Sequence, residues 1–511
     1  MLARAVGATP WGIDALPVEV EVESRFGLPG LQLVGLADAA VRESRERMRS
    51  AIRNTGIELP SRSVVINLAP ADLRKEGNHL DLAITVGYLA AHGQIPLASL
   101  DGRVFCGELG LDGALRPVRG ALAIAALARS LRAREVLLPA DNAAQAACLA
   151  GTRAIPIRSL AEAVEHLTGA ASLEPALPAG SGGELSFHPD LAEVRGQAAA
   201  RRALEVAAAG GHNLLLCGPP GSGKTMLARR MPGLLPELQH EEAILVTKIH
   251  SLATDLPALG LITARPFRSP HAGVSTAGLI GGGPVPRPGE VTLAHGGVLF
   301  LDELPEFRRD TLEALRQPLE DGSVSVVRAK ARVVFPSRFV LLAAMNPCPC
   351  GYHGDSRHDC RCPPSRIDSY RGRISGPLLD RIDLQIEVPP VALRELQQRA
   401  GESSAAVARR VGQARERQRK RWAAGLRLPA LGEPQCNAFL PASSVDELCR
   451  PEPAGRQLLE RAYDKLGLSV RAVHRVLRVA RTLADLGDTL EIAAEHVAEA
   501  LQYRLPSEPS R

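Results

Sequence analysis

Eight consecutive residues near the middle of the chain have the types and spacing of a phosphate-binding loop. They are Gly218, Pro219, Pro220, Gly221, Ser222, Gly223, Lys224 and Thr225, between an apolar strand-like run and a helix-favouring run. Glycines let backbone N–H groups point into one concavity that binds phosphate oxygens. A lysine here reaches the β- and γ-phosphates, and the following hydroxyl can bind Mg²⁺. We therefore expect Lys224 to act on bound ATP and Thr225 to be a magnesium ligand.

Two carboxylates follow a second apolar run, Gly297 to Leu301. An acidic pair in that position is often only a solvated strand end. Downstream of a phosphate-binding loop, a catalytic role is favoured, because phosphoryl transfer needs charge neutralisation and an oriented water. We expect Asp302 to hold Mg²⁺ and Glu303 to polarise the attacking water.

Three further polar residues are candidates for contact with the γ-phosphate. Asn346 ends a third apolar run, and its amide is expected to bind the γ-phosphate or the attacking water, the role called sensor 1. A single arginine is normally a surface charge. In this setting we predict that Arg381 is the finger supplied to a neighbouring subunit and that Arg471 is a sensor 2 arginine from a helical lid.

Four of the nine cysteines form two short pairs, Cys348/Cys350 and Cys360/Cys362. Four thiolates match the tetrahedral sulfur set that zinc prefers. The Cys-x-Cys spacing is less common than Cys-x-x-Cys, so reduced thiols in a loop remain the alternative to a structural zinc site.

A basic hairpin is the candidate for DNA contact. Residues 323–335 alternate at period two on both sides of a basic tip, which predicts a β-hairpin. Arg328, Lys330 and Arg332 are candidates for gripping phosphates, although a solvated tip is nearly as good an explanation. The Gly-rich stretch 266–283 is expected to be a second mobile pore loop. The arginine-rich segment 409–421 is either a solvated face or a surface that steers DNA.

The chain divides by pattern into several parts. Alternating strand-like and helical runs fill 1–170, a Pro- and Gly-rich linker is expected at 171–185, and a parallel α/β core at 186–390. Helical segments cover 391–503, and 504–511 is expected to be a tail. No apolar run approaches the length of a membrane span. These features predict a cytoplasmic α/β protein with no membrane partner.

The amino-acid composition limits the ways in which the chain could contact nucleic acid. A net charge of +5 is compatible with a polyanionic partner without demanding one. Aromatic residues make up only 3% of the chain, which argues against a base-stacking platform. Any DNA contact is therefore expected to be mainly to the backbone.

Long motifs in the core resemble the magnesium-chelatase-like AAA+ ATPases, and most closely their ComM/YifB branch. The resemblance is carried by Arg265 to His271, Gly281 to Gly283, Pro288 to Glu290, Leu293 to His295 and Gly297 to Phe307. The chain departs from the family pattern at Ala272, where a second histidine is usual, and at Asn78, where serine is common.

The resemblance implies an AAA+ P-loop core with a helical C-terminal lid, preceded by an α+β domain of the Lon-protease-like (ribosomal S5 domain 2-type) fold. A Lon-type protease uses a serine activated by lysine. The matching stretch, Lys75 to Leu82, has no serine, so no proteolysis is expected.

The resemblance also implies a homo-hexameric, ATP- and Mg²⁺-dependent DNA helicase that acts on single-stranded and branched DNA. Its expected role is branch migration during natural transformation. Two other classes stay open from the residues: a protein-remodelling ATPase, and a DNA-binding scaffold whose assembly ATP controls.

Overall fold

The computed structural model describes residues 1–35, 38–60, 62–71, 75, 77–180, 188–253, 260–283, 286–328, 331–355, 357–396, 401–425 and 435–504. The chain forms two compact units. The first comprises Met1–Glu184 together with Ala243–Thr263, and the second comprises Leu185–Glu242 and Ala264–Arg511. The segment Ala243–Thr263 thus leaves the second unit and packs with the first.

The first unit is built on a seven-stranded mixed sheet. Its strands, in spatial order, are Gly30–Val34, Ser63–Ala69, Asp14–Arg25, Leu2–Trp11, Arg103–Phe105, Glu135–Pro139 and Ala154–Ile157. The second strand in sequence shows why the sheet has one covered face. Val18, Val20 and Val22 are fully buried, whereas the glutamates between them are not. A short ribbon pairs Glu108–Leu109 with Leu115–Arg116.

Helices cover this sheet. They are Ala39–Asn54, Asp81–Ala91, Ala121–Ser130, Ala140–Ala146 and Leu160–Thr168, with a 3₁₀ turn at Leu97–Ser99. The helix Ala39–Asn54 is rich in charged residues. Asp38 is its N-cap and accepts a 2.8 Å hydrogen bond from the Val41 amide.

The second unit contains a five-stranded sheet in which all strands are parallel. Its spatial order is Phe267–Arg268, Val298–Leu301, Val340–Met345, Leu214–Cys217 and Leu384–Glu387. The carboxyl ends of parallel strands share one edge, which is where ligands bind in such sheets. Two antiparallel ribbons stand outside the sheet, Gly281–Gly282 with Arg287–Pro288 and Ser323–Arg328 with Ala331–Pro336.

Helices surround this sheet, and the last ones share its apolar core. The α-helices are Ala198–Gly210, Lys224–Ala228, Thr276–Ile280, Glu290–Leu293, Arg309–Ala314, Arg316–Asp321, Pro364–Arg371, Gly376–Leu379, Leu393–Leu396, Ser404–Gly425, Ala442–Leu448, Pro453–Leu466, Val470–Leu486 and Ala494–Gln502. A further helix, His240–Ala253, belongs to the first unit from Ala243 onward. The 3₁₀ turns are Leu191–Glu193, Pro232–Leu234, Leu304–Glu306 and Asn437–Phe439. Within the described ranges, no helix has the length and apolar character needed to cross a bilayer.

The stretch 266–283 is more regular than its sequence suggests. Phe267–Arg268 forms an edge strand of the sheet, and Thr276–Ile280 is helical. The Ser275 hydroxyl caps that helix by accepting a 3.1 Å hydrogen bond from the Gly278 amide. The local capping interaction outweighs the low helix propensity of glycine, and the pore-loop role expected for 266–283 stays a prediction.

Candidate nucleotide-binding site

The phosphate-binding loop follows the strand Leu214–Cys217, which lies between two other parallel strands. Gly221 and Gly223 have φ values of +74° and +92°, a region that favours glycine. A Cβ on Gly218 would lie 2.2 Å from the Val388 carbonyl oxygen, so only glycine fits there. The sheet edge and these glycines together shape the concavity that the sequence predicts.

Lys224 is buried within the loop. Its Nζ donates hydrogen bonds to the carbonyl oxygens of Gly218 and Pro219, at 2.6 and 2.9 Å, and to Asn346 Oδ1 at 3.2 Å. Burial lowers the pKa of Lys224, whereas the nearby carboxylates of Asp302 and Glu303 raise it. The ammonium is thus held at the loop beside the amide predicted to act as sensor 1.

Thr225 and Asp302 meet at the same edge. The threonine hydroxyl donates a 2.6 Å hydrogen bond to Asp302 Oδ2. Asp302 follows the buried strand Val298–Leu301, and its Oδ1 accepts a 3.0 Å hydrogen bond from the Glu303 amide. A hydroxyl and a carboxylate this close offer the oxygen ligands that Mg²⁺ prefers.

Glu303 has a left-handed backbone with φ of +52°. A non-glycine residue in this region costs on the order of 1 kcal/mol, and such residues cluster at functional sites.

Four predicted residues, Lys224, Thr225, Asp302 and Asn346, are brought together by hydrogen bonds. Glu303 is next to them in the chain and contributes to the field at Lys224.

A cleft of about 470 Å³ opens beside the loop. Its lining includes residues that the sequence analysis missed: Glu193, Val194, Arg195, Gln197, Met226, Leu227, Tyr352, Asp355, Arg357, His358, Pro390 and Val391. Gln197 precedes the helix Ala198–Gly210 and has a left-handed φ of +51°. Its amide donates to the Ser222 carbonyl oxygen at 3.2 Å and to that of Pro389 at 2.6 Å.

Arg381 and Arg471 lie together in a second cleft, of about 360 Å³, whose lining contains no residue of the phosphate-binding loop. Both form ion pairs with Glu320, and the Arg471 contact measures 3.5 Å. Arg381 is nearly buried, whereas the Arg471 side chain is 70% exposed. Sequence reasoning missed Glu320.

The electrostatics of the second cleft are dominated by arginine. Burial lowers the pKa of Arg381, as do the charges of Arg316, Arg471 and Arg475. Arg475 also forms a 2.8 Å ion pair with buried Asp383. Burial would raise the pKa of Asp383, but Arg475 and His212 hold it below its ordinary value. An additional anion in this cleft would relieve the crowding of positive charge around Arg381.

The four cysteines predicted to bind metal converge. Their sulfurs all lie within 4.8 Å of one another. The separations are 3.3 Å for Cys348–Cys350, 3.7 Å for Cys348–Cys360 and 3.6 Å for Cys350–Cys360. A tetrahedral site with zinc–sulfur bonds of about 2.3 Å places its sulfurs about 3.8 Å apart. The donor set and its spacing therefore fit zinc.

The predicted hairpin is confirmed, with Ser323–Arg328 paired antiparallel to Ala331–Pro336. Val324 and Val326 face Phe335 and Val333 across the ribbon, and all four are buried. Arg332 is exposed on the other face and donates to Ser325 Oγ at 3.1 Å. Lys330 and the side chain of Arg328 fall outside the described residues.

Most arginines of the helix Ser404–Gly425 are committed to contacts within the unit. Arg415 donates to the Ala208 carbonyl oxygen at 2.8 Å, Arg421 to Asp485 at 2.5 Å, and Arg410 to Glu205 at 2.6 Å. Arg417 donates to the Asp485 carbonyl oxygen at 2.7 Å. These four side chains therefore help to anchor the helix, and steering of DNA by this segment stays a prediction.

The stretch matching a Lon-type site is also occupied by internal contacts. Lys75 is fully buried and donates to the Pro70 carbonyl oxygen. Arg47 donates to Asn78 Oδ1 at 3.0 Å and to buried Asp81 at 2.7 Å. These contacts describe a packed polar cluster, and the absence of proteolysis stays a prediction.

The parallel sheet, the glycine-rich loop and the converging lysine, threonine and carboxylate define a P-loop nucleotide-binding unit.

Three family models of the magnesium chelatase subunit ChlI match the chain. One matches residues 190–396, one for the C-terminal part of the subunit matches 401–504, and another matches 18–142. The chain is 44% identical to the uncharacterized protein YifB of Escherichia coli over 96% of its length and 95% of the relative. It is 43% identical to the competence protein ComM of Haemophilus influenzae, covering 98% and 97% of the two chains. It is 42% identical to the uncharacterized protein Rv2897c of Mycobacterium tuberculosis, covering 98% of each. The chain therefore belongs to the magnesium-chelatase-like AAA+ family, in its ComM/YifB branch.

Proposed function

We propose that this protein hydrolyses ATP with Mg²⁺ and uses the energy to move DNA. The observation that carries the proposal is the constellation of Lys224, Thr225, Asp302 and Asn346 at one sheet edge. In it, Lys224 and Asn346 bind the β- and γ-phosphates, and Thr225 and Asp302 hold the metal. Glu303 polarises the attacking water, so the reaction is achieved by positioning and charge neutralisation.

We propose further that catalysis is completed between subunits of a homo-hexamer. Arg381 and Arg471 share the second cleft with Glu320, and that cleft lacks the phosphate-binding loop. An arginine finger must reach the γ-phosphate. This arrangement supports a role for both arginines on a neighbouring subunit's nucleotide, with Glu320 holding them until an anion arrives.

The proposed polymer is DNA, single-stranded or branched. The hairpin Ser323–Pro336 carries exposed Arg332, and a full-length relative is named as a competence protein. A basic hairpin suits contact with the phosphate backbone, which dominates affinity for nucleic acid. We propose that the motor acts as a helicase that promotes branch migration during natural transformation.

The remaining assignments complete the proposal. The first unit is of the Lon-protease-like fold without protease activity, and the cysteine cluster holds a structural zinc ion. The protein acts in the cytoplasm.

Strand displacement on forked and three-stranded DNA tests the proposal. Wild-type protein should displace a labelled strand with ATP and not with a non-hydrolysable analogue, whereas Lys224→Ala should displace none. DNA should also stimulate hydrolysis or assembly. A protein whose ATPase and assembly both ignore DNA would not be a helicase.

A further inference from the structure

The cysteine loop, defined as the described residues between Cys348 and Cys362, packs directly on the phosphate-binding loop. Gly351, with φ of +88°, approaches Pro220 so closely that a Cβ there would lie 2.5 Å from Pro220 Cδ. Such a contact has no room for a larger residue. One end of the cysteine loop is therefore fixed against the phosphate end of the cleft.

The middle of the cysteine loop lines the same cleft. Tyr352, Asp355, Arg357 and His358 all contribute to its surface. Arg357 also donates a 2.9 Å hydrogen bond to the carbonyl oxygen of Val391, another lining residue. The cysteine loop thus extends from the phosphate-binding loop to the chain that follows the strand Leu384–Glu387.

Short-range contacts order these lining side chains. The Asp355 side chain is 3% exposed, accepts a 2.8 Å hydrogen bond from the Arg357 amide, and lies 3.2 Å from His358 Nδ1. The rings of Tyr352 and His358 are tilted, with centroids 4.8 Å apart. They provide an aromatic surface of the kind that binds a flat heterocycle.

The four sulfurs close the base of the cysteine loop. The His353 amide donates to Cys348 Sγ at 3.3 Å, so the cluster is bonded to the lining segment as well as to itself. A metal joining two Cys-x-Cys pairs removes the closure entropy that a free loop would retain. A metal bound to these sulfurs would therefore hold the lining residues in place.

We infer that Tyr352, Asp355, Arg357 and His358 form the wall of the nucleotide site beyond the phosphates, and that Zn²⁺ on the four cysteines fixes this wall. The wall receives the base and ribose of a nucleoside triphosphate, with the Tyr352/His358 pair against the base. Zinc is thereby a determinant of nucleotide affinity. This inference rests on the proposed function in taking the cleft as the ATP site and the cysteine cluster as a zinc site.

The test measures the dissociation constant of a fluorescent ADP analogue and the zinc content of the full chain. Wild-type protein is compared before and after a zinc-selective chelator, and again after zinc is restored. The chelated sample uses the native sequence, so it avoids the folding risk of Cys360→Ser and Cys362→Ser. Asp359→Ala is the matched control, because Asp359 is an exposed residue of the same loop that does not line the cleft.

Wild type and Asp359→Ala should hold about one zinc per chain. Zinc removal should weaken nucleotide binding by about tenfold or more, because apparent affinity falls with the fraction of chains in the competent state. Added zinc should reverse the loss. Tyr352→Ala and His358→Ala should keep the metal and still bind nucleotide more weakly.

A zinc-free chain with unchanged nucleotide affinity would overturn the inference, as would wild-type protein without zinc. Equal nucleotide affinities for wild type, Tyr352→Ala and His358→Ala would show that these two rings do not contact the nucleotide. Zinc-dependent binding in a protein that never hydrolyses ATP would instead contradict the proposed motor and leave the inference standing.

Discussion

The hydroxyl of Thr225 donates a 2.6 Å hydrogen bond to Asp302, although 77 residues separate them in the chain. The bond joins the end of the phosphate-binding loop to the carboxyl end of the strand Val298–Leu301, which is separated from the strand Leu214–Cys217 by the strand Val340–Met345. Both oxygens are suited to Mg²⁺, and each positions the other before metal arrives. The fold therefore prepares the proposed magnesium site.

This arrangement predicts the effect of changing the hydroxyl. Thr225→Ala should raise the Mg²⁺ concentration needed for half-maximal hydrolysis by about 10- to 100-fold, because one oxygen of the site and its partner contact are lost. Thr225→Ser keeps the oxygen and serves as the control. A magnesium titration of ATPase activity checks this, and indistinguishable curves for the two variants would argue against a metal-site role.

Glu303 should be needed for hydrolysis and not for binding. Glu303→Gln preserves shape while removing the charge that polarises water, so turnover should fall by about 10²- to 10⁴-fold. Nucleotide affinity should be retained. Glu306→Gln is the matched control, because this exposed carboxylate on the next turn pairs with Arg373 at 3.1 Å. Equal losses in both variants would contradict the assignment.

Much of the site could be predicted because its signals are local. The phosphate-binding loop, the strand before Asp302 and the basic hairpin each depend on residues adjacent in the chain. Period-two alternation at 323–335 correctly indicates a ribbon because Val324 and Val326 pack inward. These features require no knowledge of tertiary contacts.

Other features depend on contacts between distant segments. Nothing near Glu320 in the sequence shows that it meets both Arg381 and Arg471. The aromatic and charged residues between the cysteine pairs gave no sign that they line the nucleotide cleft. The arginines of the helix Ser404–Gly425 suggested a solvated or DNA-facing surface. Their contacts could not be read from the sequence, because the buried carbonyl and carboxylate partners lie on other elements.

The hairpin should contribute to DNA contact without affecting basal hydrolysis. Arg332→Ala and Lys330→Ala should each reduce DNA stimulation of ATPase and lower the salt slope of binding by about 1, the expected loss for one phosphate contact. Arg461→Ala changes an exposed arginine on a C-terminal helix and is the control. If DNA binding shows the same salt slope in all three variants, the hairpin does not contact the DNA backbone.

Asp383 should stabilise the second unit in a pH-dependent way. Its pKa is lowered in the folded state by Arg475 and His212, despite burial, and it also accepts from the Asn213 amide at 2.9 Å. Its contribution is complete above the unfolded-state pKa of about 3.9 and is lost as pH falls from there toward the lower folded-state value.

Asp383→Asn should therefore lower the free energy of unfolding by about 3 kcal/mol near neutral pH, because Arg475 loses its buried partner. The difference from wild type should shrink below about pH 4. Exposed Asp380 supplies the control Asp380→Asn. Denaturant unfolding at several pH values measures both effects, and a pH-independent difference would contradict the linkage.

Mixing two inactive variants tests most directly whether ATP is hydrolysed between subunits. Lys224→Ala lacks a working phosphate-binding loop, and Arg381→Ala lacks the proposed finger, so each alone should be inactive. In mixed rings, an Arg381→Ala subunit can bind ATP and receive Arg381 from a Lys224→Ala neighbour. Random 1:1 assembly should restore about a quarter of wild-type DNA-stimulated ATPase. Mixtures as inactive as the separate variants, despite verified co-assembly, would contradict the account.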